Sequence, residues 1–122
     1  MRAGAAIAAV SFALAASAAG AAAAHGEERA FALVVGAKPP SAPATLAARK
    51  GDAVAIALRS ETAAEVHLHG YNLEARLEAG GTATWRFTAH ATGRYPINVH
   101  APGTGSGHRH APPVAYLEVR PR

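Results

Sequence analysis

The chain has 122 residues, a formal net charge of +4 and no cysteine. That length suits one domain with one modest core, and the lack of cysteine excludes a disulfide scaffold, a thiolate nucleophile and a thiolate metal ligand. The positive charge rests on scattered arginines, from Arg29 to Arg122, without a basic run or interleaved aromatics; this pattern describes a solvated surface and excludes a nucleic-acid partner.

The first 24 residues read as a targeting segment. Arg2 is followed by an uncharged, Ala-dominated run containing Ile7, Val10, Phe12 and Leu14, which closes on small residues. A charged start, an apolar middle and an A-x-A end make a secretory signal peptide. The expected organisation is therefore a signal peptide over 1–24 and one exported domain over 25–122, periplasmic or secreted. A retained anchor is the alternative, although Ala drives insertion weakly. Cleavage near Ala22 or Ala24 would put His25 at or beside the new N-terminus. There its ring and the free amine can chelate Cu(II) or Ni(II) together, while a loose polar start is the simpler reading.

After residue 30 the pattern is that of strands. Residues 31–35, "FALVV", form a short apolar run, and "KPPSAP" at 38–43 breaks it with three prolines. "ATLAAR" leads into a turn at Lys50, Gly51 and Asp52. "AVAIAL" then alternates, with Val54, Ile56 and Leu58 on one face. In "EVHLH", Val66 and Leu68 oppose Glu65, His67 and His69. "YNLEARL" sets Tyr71, Leu73, Ala75 and Leu77 on one side. "TATWRF" alternates Ala83, Trp85 and Phe87 against Thr82, Thr84 and Arg86. "GRYPINVH" alternates Tyr95, Ile97 and Val99 against Arg94, Pro96, Asn98 and His100, and "VAYLEV" closes the chain. Short strands at even spacing, punctuated by Gly, Asn and Asp, predict an all-β antiparallel sandwich or barrel. The expected core is Val54, Ile56, Leu58, Leu73, Trp85, Phe87, Tyr95, Ile97, Val99 and Leu117. Residues 101–113 form a long irregular loop, the kind of segment that carries function on a β scaffold.

Five of the seven histidines fall in two clusters: His67 and His69, then His100, His108 and His110. Residues i and i+2 of a strand share a face about 6.5–7 Å apart, so His67 and His69 can face one metal ion or two adjacent ions. Imidazole suits copper, zinc, nickel and iron. The bland reading is that Val66 and Leu68 take the core and leave His67 and His69 as solvated decoration. Glu65 and Glu74 flank the histidines as surface charges, or as carboxylates that orient an imidazole.

"KGDAVAIALRSE", "EVHLHGYNL", "GGTATWRFTAHATGRYPINVH" and "VAYLEVRP" together resemble the cupredoxin superfamily over 31–121, and most of all its small exported bacterial cupredoxin-like domains. The resemblance implies a Greek-key β-sandwich whose metal site, when present, lies at one end. Gly93 and Tyr95 match the family's Gly-x-Tyr signature. The family's copper cysteine falls six residues after that glycine, where this chain has Val99, and the single methionine is Met1. A blue copper site takes two His, a Cys and a weak axial Met, so blue-copper electron transfer is excluded. "HLHG" is also similar to the His-x-His-Gly of multicopper oxidases, where such histidines hold non-blue coppers between domains.

Three readings follow. The first is an exported domain that binds copper, or else zinc, through His67, His69, His100, His108 and His110, for storage, delivery or tolerance of the metal. Those histidines would then converge at one end of the sandwich under the 101–113 loop. The second is a metal-free interaction module, with a membrane or periplasmic protein as partner. The third is a histidine-ligated zinc or copper enzyme with an open water position. A monomer whose partner is the metal ion is the expectation under the first.

Overall fold

The structure is a computed structural model that describes residues 26–38, 40–102 and 112–122. The signal segment, His25, His108 and His110 lie outside the described residues. Eight strands follow in order: β1 (Glu28–Val35), β2 (Ala44–Arg49), β3 (Ala53–Ser60), β4 (Ala64–Leu68), β5 (Leu73–Leu77), β6 (Thr82–Thr88), β7 (Gly93–His100) and β8 (Ala115–Arg120). Among the described residues there is no helix.

The strands form two packed sheets, ordered β1-β3-β6 and β2-β8-β7-β4-β5. Both are mixed, which differs from the antiparallel arrangement that the alternation suggested. β1 runs parallel to β3, and β2 parallel to β8. The cause is the proline-bearing connection after β1. A two-residue hairpin would have laid β2 beside β1; instead the chain crosses to the other sheet and β2 pairs with the last strand.

Period-2 alternation supplies the core. Val54, Ile56 and Leu58 of β3 are buried, as are Val66 and Leu68 of β4, Trp85 of β6, Ile97 of β7 and Leu117 of β8. Leu73, Phe87, Tyr95 and Val99 are partly buried and pack against that cluster. Between them the inward residues of the two sheets form one apolar layer, the arrangement that drives sandwich folding.

Asp52 closes one end of the sandwich. Its side chain is fully buried. The carboxylate accepts the backbone N–H of Arg49 at 2.8 Å and of Glu27 at 2.9 Å. The guanidinium of Arg29 approaches at 3.4 Å, and that of Arg122 also reaches it. Burial alone would push this carboxyl upward. The N–H groups of Arg49 and Glu27, then Arg122 and Arg29, outweigh it and hold the pKa below the usual aspartate value. One side chain thereby ties together the start of β1, the β2–β3 turn and the chain after β8.

Candidate metal centre

β4 places the first two histidines. Ala64, Val66 and Leu68 face the core, so Glu65 and His67 face outward. β4 lies between β7 and β5, and its register puts His67 opposite Asn98 on one side and Glu74 on the other. His100 stands opposite Glu65 on the same outer face. β4 ends at Leu68, so His69 opens the turn, and its N–H donates to the Pro96 carbonyl at 3.1 Å.

The turn after His69 explains the glycine of "HLHG". Gly70 has φ +87, and a Cβ there would stand 2.3 Å from Cδ1 of Tyr95. Asn72 also has positive φ, at 54°, a conformation that asparagine tolerates better than most residues. Tyr95 donates to the carbonyls of Ala91 and Thr92. Tyr71 donates to Ala91 at 2.9 Å and stacks edge-on against Tyr95. For the Tyr71 phenol, burial pushes the pKa up; the Ala91 hydrogen bond opposes this and Tyr95 adds to it, with a net rise. The two tyrosines thus hold the turn that carries His69 against the 89–93 loop.

The rings of His67 and His69 lie 6.1 Å apart, nearly parallel with an interplanar angle of 21°. Those of His67 and His100 lie 5.4 Å apart at 78°. The three histidines therefore form a row with His67 in the middle. The three share one patch of surface, and His108 and His110 of the 101–113 loop lie outside the described residues. The strands are antiparallel, so His69 sits beside Pro96 while His100 sits beside the start of β4. Alternation then turns the row onto the outer face of the five-stranded sheet. His67 and His100 are half-buried and His69 is exposed. Among the described residues, no group of three or more His, Asp or Glu side chains is disposed to hold one metal ion.

The two glutamates have different partners. Nδ1 of His67 stands 3.3 Å from Oε1 of Glu74. The Glu65 carboxylate instead accepts two N–H groups of the Arg76 guanidinium, at 2.6 and 3.1 Å. His90 lies apart from the row, with its ring edge-on to Tyr71. Val99, at the position where the resembled family has cysteine, faces inward and packs on the core. The outer face thus carries imidazole and carboxylate groups, and a chain without cysteine cannot make a copper–thiolate bond.

Two residues with large structural roles were not apparent from the sequence. Asp52 reads as a turn residue, and its place as the chain's single Asp, between Gly51 and an alternating strand, is the one available signal. Tyr71 reads as a member of β5, whereas it belongs to the preceding turn.

No protein-family profile matches the chain, and no curated protein matches it. Solved structures do. A multicopper oxidase is similar at 20% identity with a TM-score of 0.57, covering 77% of this chain and 42% of its own. A copper-containing nitrite reductase from Thermus scotoductus SA-01 is similar at 19% identity and TM-score 0.57, covering 77% of this chain and 28% of its own. A laccase from B. aclada matches at 17% identity and TM-score 0.57, covering 79% and 23%. The chain spans less than half the length of each of these proteins. At such identities the likeness concerns the fold: two mixed sheets, with the inward tyrosine of β7 and the His-x-His-Gly turn closing β4, form an all-β, cupredoxin-like sandwich.

Proposed function

We propose that this chain is an exported copper-binding module that holds the ion through histidine nitrogen on the outer face of its five-stranded sheet. Its role is storage, delivery or tolerance of copper rather than electron transfer or catalysis. The observation that carries the reading is the row of three imidazoles, His69, His67 and His100, each ring within 6.1 Å of the next. Imidazole is the commonest protein metal donor, so three histidines from two strands and a turn on one patch of surface are suited to hold an ion. The copper enzymes among the similar folds support copper over zinc. His108 and His110, in the 101–113 loop, remain candidates for further ligands. Export rests on the signal-like segment over 1–24.

The absence, among the described residues, of three donors focused on one point favours a second reading. In it, the same outer face is a metal-free docking surface for another exported protein.

The test is the metal content of protein purified from its own exported compartment, followed by Cu(II) titration against a chelator of known affinity. One copper per chain, lost when His67 and His69 are both replaced by Ala, is the expected result. Metal-free protein that takes up no copper would transfer the argument to the docking surface.

A further inference from the structure

The end of the sandwich opposite Asp52 is hollow, and the geometry points to it as a binding cavity for a free carboxylate with a medium-length apolar tail. Asp52 lies where β1 and β3 start, whereas the cavity opens where β1 and β7 end and where β2 and β4 begin. Its volume is about 480 Å³, which suits a small-molecule site. Leu33 and Val35 line it from the three-stranded sheet, and Ala44, Ala64 and Val99 from the five-stranded sheet.

Small side chains make this space. Inward positions recur every second residue of a strand. Ala44 therefore shares a face with the buried Leu46 and Ala48 of β2, and Ala64 with Val66 and Leu68 of β4. Toward the middle of the sandwich those faces carry Leu46, Val66 and Leu68, which pack into the core. At the cavity they end in alanine, and Ala37, Ala42, Ala63 and Ala101 also line it. Side chains normally fill the space between packed sheets to high density. Here methyl groups leave room for a guest, and an apolar wall favours a guest that covers it with apolar surface.

Lys38 sets the polarity of the guest. Of the described lining residues it alone has a fixed charge, and Thr62 and His100 are the other polar ones. Lys38 is exposed, which places it at the mouth. Among the described residues it has no ion pair, although Glu61 reaches the same rim, where a Cβ on Gly36 would stand 3.4 Å from its Oε2. An ammonium at the rim of an apolar cavity matches one anionic head on an apolar body. The carboxylate accepts the Lys38 N–H groups, while the tail occupies the alanine-lined space. This site does not depend on the copper reading, although His100 borders both.

The test titrates decanoate and the neutral decanol into the protein, below the concentrations at which they aggregate, with amide NMR spectra as the readout. Decanoate should bind saturably, with shifts concentrated on residues 33–38, Ala44, Ala64 and Val99, and decanol should bind several-fold more weakly. Lys38→Glu should weaken decanoate binding by about tenfold, because an exposed pair is lost and a like charge gained, and should leave decanol binding unchanged. Ala44→Phe should abolish binding of both, since the ring takes the place of the tail. Should that variant fail to fold, Ala63→Leu, at an exposed position of the wall, replaces it and should weaken both. Equal affinity for the two probes, or decanoate binding unchanged in Lys38→Glu, would overturn the carboxylate assignment. Shifts that do not saturate, shifts centred elsewhere on the sandwich, or binding unchanged in the cavity-filling variant would overturn the cavity as a site.

Discussion

Asp52 offers the sharpest test of how this small sandwich is held together. Replacing it by Ala removes the acceptor of two backbone N–H groups and the counter-charge of Arg29 and Arg122. Removing one partner from a buried charged network costs about 3–5 kcal/mol. Both arginines remain nearly half exposed, at 41% and 45%, so water can solvate them once the carboxylate is gone. The lower end, about 3 kcal/mol, is therefore expected. With a urea m-value of about 1–1.5 kcal/mol/M for a domain of this size, the denaturation midpoint should fall by about 2–3 M. A second arm uses pH. The carboxyl pKa is lower in the folded chain than in the unfolded one, so the stabilisation is complete above the unfolded aspartate value of about 3.9. It is lost as pH falls through the depressed folded value. Asp52→Asn should remove that part of the acid sensitivity while keeping the side chain's shape. A midpoint shift below about 0.5 M for Asp52→Ala, or an unchanged acid slope for Asp52→Asn, would refute the role assigned to this residue.

Gly70→Ala should destabilise the fold by about 2–4 kcal/mol, from the left-handed backbone and from overpacking, because the new methyl meets the Tyr95 ring; thermal melting should show a drop of roughly 10–20 °C. A Cu(II)-loaded sample should be pale, since Val99 stands where a thiolate would be and the chain has no cysteine; an intense visible band in an absorption spectrum would contradict the all-nitrogen donor set. Copper affinity should be weaker at pH 5.5 than at pH 7.5, because metal binding to imidazole competes with protons, and titrations at the two pH values would reveal a flat profile if carboxylates held the ion instead. His90→Ala should leave affinity unchanged in the same titrations, since its ring packs on Tyr71 and not on the histidine row.

Much of the fold was legible in the order of residues. Alternation in β3, β4, β6 and β7 is a local property, because successive side chains of a strand face opposite sides whatever the strand pairs with. It assigned Val66 and Leu68 to the core and His67 to the surface before any partner strand was known. The histidine clusters and the absence of cysteine were likewise visible, and the latter excludes a thiolate donor. What alternation cannot encode is which strand lies beside which. The crossing between sheets after β1 made both sheets mixed. The β4–β7 register put His100 opposite Glu65, and so set the histidines in a row on one face. Ring planes, the pairing of His67 with Glu74 and not Glu65, and the gathering of four donors on Asp52 depend on residues distant in the chain. They are consequences of register, which a single inward-outward pattern leaves free to slide by two residues at a time.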